Sequence, residues 1–221
     1  MKLTLHNYWR SSASHRVRIG LGLKGLDYQY RAVNIIKDGG QQHAADYRAK
    51  NPMGQVPCLE VDDGDGAPLF LAQSLPILEY LDERFPHVPL LPPGETHAAM
   101  AARARVRALA ELVNAGIQPL QNLTTTNAVK ALGGDDRAWV QGFIASGLAA
   151  YAQAAAGAGR FSVGDAPTLA DCCLIPQLHS ARRFGVDLAP YPRLRAIEDA
   201  CAALPAFAAA APDQQPDAVR A

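Results

Sequence analysis

The first third of the chain alternates short β-type patterns with one helical pattern. Residues 2–8 alternate apolar and polar positions, which predicts a strand. Residues 17–24 place apolar side chains on one helical face, and Gly25 follows where a left-handed helix end fits. Residues 27–33 (DYQYRAV) are rich in aromatic and β-branched residues and predict a second strand. A β-α-β unit this short predicts a parallel pair of strands.

A hairpin and a second helix are predicted next. Residues 56–61 read as a third strand opened by a proline, and residues 68–72 (PLFLA) read as a fourth, with the turn DDGDG between them. Residues 75–85 repeat leucine at helical spacing. We expect Ser74 to be the N-cap of this helix, which would leave free backbone amides behind it for an anion.

The remainder of the chain changes character after a proline-rich stretch. Residues 87–94 (HVPLLPPG) favour a domain boundary. Beyond it the sequence is alanine-rich with helical periodicity, Pro119 is expected to bend or end one helix, and Thr168 with Asp171 forms a capping box. The predicted class is α/β plus all-α, with one domain over residues 1–87, a linker over 88–94 and an all-α domain over 95–221.

The composition of the chain argues against several classes of binding partner. The chain has 49% hydrophobic and 19% charged residues, and its 21 basic residues balance 21 acidic ones. A neutral chain has no electrostatic footprint for nucleic acid or an anionic membrane. The four cysteines lack C-x-x-C spacing and the histidines lack ligand spacing, so we expect no metal site. With no signal peptide or membrane span evident, we expect a reduced, soluble, cytoplasmic protein.

Several motifs together resemble the zeta class of cytosolic glutathione transferases. They are SSASHRVRI at residues 11–19, KDGGQQ at 37–42, NPMGQVP at 51–57, Gln-Ser at 73–74 and GIQPLQNL at 116–123. The resemblance covers nearly the whole chain. It implies a thioredoxin-like N-terminal domain followed by an all-helical glutathione-transferase C-terminal domain, glutathione as cofactor, and a homodimer. The chain departs from the class at Ala13, where the signature has cysteine, so no thiol is available at that position.

The serines of the first motif are the catalytic candidates. A free thiol with a pKa of ~8.5 is only about 3% ionised at pH 7, and a hydroxyl donor or a helix N-terminus would favour the thiolate. Ser11, Ser12 and Ser14 fall in the predicted turn between the first strand and the first helix. Ser11 is the first choice because it aligns with the leading serine of the motif. The alternative is that these serines only cap the helix.

The resemblance also implies a wider binding site. On the residues alone, Pro57 is an ordinary strand-opening proline; in the family its bond is cis and exposes the backbone of Val56 to glutathione. Arg10 and Arg183 are expected to bind substrate carboxylates, with surface ion pairs as the alternative. Arg16 and Arg18 are expected to form structural ion pairs. The full set implied to bind glutathione is Ser11, Ser12, Ala13, Ser14, His15, Arg16, Gln42, Val56, Pro57, Gln73, Ser74, Gln118, Asn122, Leu123 and Thr124.

Zeta-class members include maleylacetoacetate isomerases and maleylpyruvate isomerases. The resemblance therefore implies a glutathione-dependent cis-trans isomerase acting on a maleyl diacid, with transferase side activity. The KDGGQQ stretch favours maleylacetoacetate, converted to fumarylacetoacetate in tyrosine and phenylalanine catabolism. Two alternatives stay open: a maleylpyruvate isomerase of gentisate-type degradation, and a non-catalytic binding protein with the same fold.

Overall fold

The computed structural model describes residues 1–157 and 159–219, with Asp38 described by its backbone alone. Contacts divide it into two units. The first unit is Met1–Leu90 together with the described part of Leu204–Ala221, and the second is Leu91–Ala203. The division thus falls between Leu90 and Leu91, within the stretch expected to be a linker.

The elements follow one another along the chain in a fixed order. They are β1 (Lys2–Asn7), α1 (Ser12–Leu23), β2 (Gln29–Ala32), α2 (Ala45–Arg48), β3 (Cys58–Asp62), β4 (Leu69–Ala72), α3 (Ser74–Arg84), α4 (His97–Gly116), α5 (Leu123–Ala131), α6 (Asp136–Ala154), α7 (Leu169–Phe184), α8 (Pro192–Ala202) and α9 (Pro205–Ala210). Short 3₁₀ turns lie at Lys37–Gly39, Gln41–His43, Gln118–Gln121 and Pro212–Gln214.

The first unit contains a four-stranded mixed sheet in the order β2-β1-β3-β4. β1 and β2 are parallel, and β3 and β4 form an antiparallel hairpin, as the sequence predicts. β3 also runs antiparallel to β1. Cys58 pairs with His6 on one side and with Ala72 on the other. The end of β1, the start of β3 and the end of β4 therefore share one edge of the sheet.

The two faces of the sheet are covered by different helices. One face packs on α1 and α3 through a cluster of buried apolar residues: Leu3, Leu5, Val17, Leu21, Leu59, Val61, Ile77 and Leu81. Because strand side chains alternate between faces, His6, Cys58 and Glu60 lie on the other face. There Tyr47 of α2 packs with Val33 and Cys58. The fold is the thioredoxin-like arrangement that the resemblance implied.

The second unit is helical throughout the residues that the structure describes. α4 ends at Gly116, before Pro119, and its buried face includes Val106, Leu109 and Val113. The predicted capping box is present at the start of α7, where the Asp171 carboxylate accepts from the Thr168 amide at 2.7 Å. No helix among the described residues is long and apolar enough to cross a membrane.

Residues 204–219, which we call the clasp segment, lie in the first unit. This differs from the sequence expectation, which assigned them to the helical domain at 95–221. The physical reason is their packing on α1. Arg18 Nε donates to the Ala210 carbonyl at 3.0 Å, and a Cβ built on Gly22 would lie 3.2 Å from the Ala206 Cβ. Phe207 is also buried.

Candidate active site

Ser11 occupies the N-cap of α1. Its Oγ accepts a hydrogen bond from the Ser14 amide at 3.1 Å, so the capping role expected as the alternative is present. Capping does not exclude a catalytic role, because an accepting hydroxyl keeps its own proton free to donate. No acidic residue lies in the first turn of α1, so the helix itself places no carboxylate against an anion there.

The other residues of the SSASHRVRI motif differ in their exposure to solvent. Ser12 and Ala13 are half-buried, like Ser11. Ser14 is 0% exposed, and its Oγ has no hydrogen-bond partner among the described residues. Ser11 and Ser12 are therefore the serines of this turn that keep contact with solvent. Ser14 is the weakest of the three catalytic candidates on this geometry.

The Val56–Pro57 peptide bond is cis, as the family resemblance implied. It immediately precedes β3. The loop before it is held by two hydrogen bonds to the Gln55 carbonyl, from Tyr47 Oη at 2.6 Å and from Asn51 Nδ2 at 2.7 Å. These bonds fix the approach of the chain to the cis bond, which leaves the Val56 backbone at the edge of the sheet.

The start of α3 differs from the prediction in one respect. Ser74 is not the N-cap but the first helical residue; Gln73 holds the N-cap position with a left-handed φ of 69°. The Ser74 hydroxyl instead accepts from Arg16 Nη1 at 3.1 Å. The Gln73 side chain makes no capping hydrogen bond to the first amides of α3, so these amides remain suited to an anion.

Strand register brings these three segments together. The turn after β1 carries the serines, the cis peptide precedes β3, and Gln73 and Ser74 follow β4. Because His6, Cys58 and Ala72 are paired across the sheet, all three segments emerge at the same edge. A ligand bound at that edge could contact all three segments.

Gln42 and His15 belong to the same unit. Both are buried, and Gln42 Oε1 has no partner among the described residues. A buried acceptor, uncapped helix amides and a hydroxyl donor suit a small peptide that carries amide, carboxylate and thiol groups. This donor and acceptor set fits glutathione.

The predicted residues of the second unit lie around the start of α5. Gln118 Nε2 donates to Asn122 Oδ1 at 2.6 Å, and Asn122 is the N-cap of α5. Leu123 and Thr124 are exposed in the first turn that follows. These four residues form a compact group of their own.

The two substrate-binding candidates each lie against an aromatic ring. The Arg10 guanidinium is 5.6 Å from the centre of the Trp9 ring, and Arg183 is 4.5 Å from that of Phe184. A cation–π contact of this kind helps to orient each guanidinium.

Arg18 is a supporting residue whose role the sequence did not reveal. It was expected to form an ion pair, but its guanidinium donates to the Asn7 side chain and to the carbonyls of Tyr8, Trp9 and Ala210. Burial lowers its pKa to about 10, which leaves it charged at neutral pH. It holds the turn that leads to Ser11.

A cleft of about 550 Å³ lies beside α2, on the face of the sheet that does not pack on α1 and α3. Its walls include His6, Tyr47, Lys50 and Glu60, and none of the residues predicted to bind glutathione lines it. Burial, and secondarily the Glu60 charge, raises the pKa of nearby Cys58 to about 11. Among the described residues no cluster of three or more metal-ligating side chains occurs.

The mixed sheet, the cis-proline before β3 and the helical second unit define a protein that joins a thioredoxin-like domain to an all-α domain. Two family models match: glutathione S-transferase, N-terminal domain, over residues 10–84, and glutathione S-transferase, C-terminal domain, over residues 136–200. The chain belongs to the glutathione S-transferase family, in its zeta class.

Individual relatives cover almost all of the chain. A maleylacetoacetate isomerase of Pseudomonas aeruginosa is 45% identical over 97% of this chain and 98% of its own length. A maleylpyruvate isomerase of a Ralstonia species is also 45% identical, over 97% and 99%. A crystal structure of maleylacetoacetate isomerase from Anaeromyxobacter dehalogenans with bound GSH is 55% identical, covers 99% of this chain and 98% of that one, and has a TM-score of 0.88.

Proposed function

We propose that this protein is a glutathione-dependent cis-trans isomerase that converts maleylacetoacetate to fumarylacetoacetate. The observation that carries the proposal is the convergence of the Ser11 turn, the cis Val56–Pro57 peptide and the Ser74 helix start at one sheet edge. Relatives of this length and identity, named for this activity, support it. Glutathione transferase activity is proposed as a side reaction.

Bound glutathione supplies a thiolate that adds to the cis double bond, permits rotation about the resulting single bond, and leaves to give the trans product. The protein's residues have simpler tasks. Ser11 donates a hydrogen bond to the sulfur, and the N-terminus of α1 favours its negative charge. The Val56 backbone pairs with the cysteinyl group, and Ser74 with the amides of α3 holds the γ-glutamyl carboxylate. No redox change occurs.

Arg10 and Arg183 are proposed to bind the substrate carboxylates. The chain is neutral overall, so a dianionic substrate requires positive charge placed locally. Arg183→Ala should raise KM for maleylacetoacetate far more than for maleylacetone, which has one carboxylate fewer. An equal rise for both substrates would mean that Arg183 does not hold the distal carboxylate.

The second candidate is maleylpyruvate isomerase, because a relative of that name is equally identical. The test is to follow isomerisation of maleylacetone and maleylpyruvate by the purified protein, with and without glutathione. We expect glutathione-dependent turnover with a higher kcat/KM for maleylacetone. A higher kcat/KM for maleylpyruvate would make maleylpyruvate isomerase the favoured function. Glutathione binding without turnover of either would instead indicate a non-catalytic binding protein.

A homodimer and a cytoplasmic location are proposed as well. The family resemblance supports the dimer, since paired subunits are typical of these proteins. All four cysteines are buried free thiols, which suits a reducing compartment. Sedimentation equilibrium should give twice the 23.5 kDa chain mass, and a monomer that persists across a concentration series would contradict the dimer. Fractionation of the source cells should recover the protein with cytoplasmic markers.

A further inference from the structure

The backbone amide and the backbone carbonyl of Trp9 are each hydrogen-bonded to a charged side chain. The Trp9 amide donates to Asp217 Oδ2 at 3.2 Å, and the Trp9 carbonyl accepts from Arg18 Nη2 at 3.0 Å. Trp9 precedes Ser11 by two residues, and the Ser11 amide in turn donates to the Tyr8 carbonyl at 3.0 Å. The direction in which α1 and its N-cap leave β1 therefore depends on these two charged side chains.

Asp217 reaches the turn from the clasp segment, which is itself anchored. Gln215 Nε2 donates to the carbonyls of Ala209 at 2.9 Å and Ala211 at 2.8 Å, and these hydrogen bonds cap the C-terminal end of α9. Pro212 is buried. Arg18 ties α9 to α1 through the Ala210 carbonyl. The carboxylate of Asp217 is thus presented on a fixed backbone rather than on a loose end.

A second contact fixes the carboxylate itself. Tyr30 lies in β2, the strand that pairs with β1. Its hydroxyl donates a hydrogen bond to Asp217 Oδ1. Burial, together with this hydrogen bond, raises the pKa of Tyr30 well above its ordinary value, so the hydroxyl stays protonated and remains a donor. The two oxygens of Asp217 therefore serve two different elements: β2 through one, and the β1–α1 turn through the other.

We propose that Asp217 is a positioning residue for catalysis, which sets the Ser11 turn through the Trp9 amide while Tyr30 fixes its carboxylate. This inference rests on the proposed role of Ser11 as the donor to the glutathione sulfur. A hydroxyl that must meet a sulfur atom is sensitive to small displacements, since a shift of ~1 Å can cost about 100-fold in rate. The Ser74 end of the site is held by Arg16 instead, so glutathione affinity should depend less on Asp217 than turnover does.

The experiment compares Asp217→Ala with Asp217→Asn and with Asp213→Ala. Asp213 is an exposed acid of the same segment and serves as the matched control. Asp217→Ala should lower kcat by about 10- to 100-fold with KM for glutathione changed less than about threefold, and should raise the pKa of bound glutathione, read from its thiolate absorbance. Asp217→Asn keeps an acceptor for Trp9 and should restore most of kcat. Asp213→Ala should match the wild type.

Tyr30→Phe provides a second, milder variant in case Asp217→Ala folds poorly. It leaves the Trp9–Asp217 bond possible but frees the carboxylate, so kcat should fall in the same direction by a smaller factor. Wild-type kcat and thiolate pKa in both Asp217→Ala and Tyr30→Phe would overturn the proposal. So would equal losses of kcat, glutathione affinity and thermal stability in Asp217→Ala without rescue by Asp217→Asn.

Amide hydrogen exchange separates this inference from the proposed function. Protection of the Trp9 amide should be lost in Asp217→Ala and kept in Asp213→Ala, whether or not the wild type isomerises any maleyl substrate. If the wild type has no isomerase activity, the proposed function fails, and the thiolate pKa of bound glutathione still tests the positioning role. Unchanged Trp9 protection in Asp217→Ala would overturn the positioning role even in a fully active enzyme.

Discussion

Arg16 Nη1 donates a hydrogen bond to the Ser74 hydroxyl, 3.1 Å away. Both residues are buried, and the bond joins α1 to the first residue of α3. These are the helices whose N-termini are proposed to face the thiol and the γ-glutamyl carboxylate of glutathione. This buried hydrogen bond therefore links the two ends of the proposed site, in addition to the apolar cluster that α1 and α3 share.

Ser74→Ala should weaken glutathione binding with little effect on turnover. The variant loses a hydroxyl that can accept from Arg16 and donate to a carboxylate at the same time. One such hydrogen bond to a charged group contributes about 1.5–3 kcal/mol, so KM for glutathione should rise about 10- to 150-fold. Steady-state kinetics and calorimetric titration measure this. Ser74→Thr keeps the hydroxyl and is the control; a fall in kcat alone would contradict the assignment.

Ser11→Ala should show the opposite division of effects. The sulfur loses its donor, so kcat should fall by about 10- to 150-fold, whereas glutathione affinity should largely remain. The same change removes the N-cap of α1 and should cost about 1 kcal/mol of unfolding free energy. Ser11→Gly separates the two roles, because glycine caps almost as well but donates nothing. If Ser11→Gly keeps full turnover, the donor must be Ser12 or Ser14.

Cys58 should make the protein less stable in alkali. Its pKa is raised from 9.0 to about 11 in the folded state, so the unfolded chain releases this proton first as pH rises. The stabilisation is present below pH 9 and is lost between pH 9 and 11; by pH 11 about 2 kcal/mol should be gone. Urea unfolding at about pH 8 and about pH 11 should show a smaller difference for Cys58→Val than for the wild type. Equal differences would contradict the raised pKa.

Asp171→Ala should be strongly destabilising without a direct effect on the proposed site. Asp171 is 0% exposed and accepts from the amides of Ser162 at 2.8 Å and Thr168 at 2.7 Å. Removing the carboxylate leaves two buried donors unsatisfied, at about 1–3 kcal/mol each. Urea denaturation should report a loss of several kcal/mol, while Asp199→Ala, on the exposed side of α8, should stay near wild type. A loss below about 1 kcal/mol would contradict this account.

Local signals in the sequence predicted most of the first unit and the start of α7 in the second. Alternation and helical spacing are properties of neighbouring residues, so the strands of the β-α-β unit, the hairpin and the Thr168–Asp171 capping box could be predicted correctly. The start of α3 was displaced by one residue, because a left-handed backbone at Gln73 is a property of the folded turn and not of its residue type. The cis bond at Pro57 required the family resemblance, since a proline alone favours a trans bond.

The contacts between the two ends of the chain were not predicted. Nothing in the pattern of residues 212–217 (PDQQPD) indicates a partner among residues 8–11. The helical periodicity of α1 predicted the helix, but it did not indicate that Arg18 binds carbonyls from both ends of the chain. Such pairings depend on how α9 packs on α1, and a helix of six residues leaves too weak an apolar pattern to predict its site.

The position of the clasp segment also has a consequence for how the protein is made. Trp9 and Asp217 are separated by 208 residues, and at ~5–20 residues per second a ribosome needs about 10 to 40 s to cover that distance. Throughout this interval the nascent β1–α1 turn has neither the Asp217 carboxylate nor the Ala210 carbonyl that anchors Arg18. The whole second unit must be translated before the last segment of the first unit is made. A message truncated upstream of the Asp217 codon therefore yields chains in which the β1–α1 turn lacks the Asp217 carboxylate.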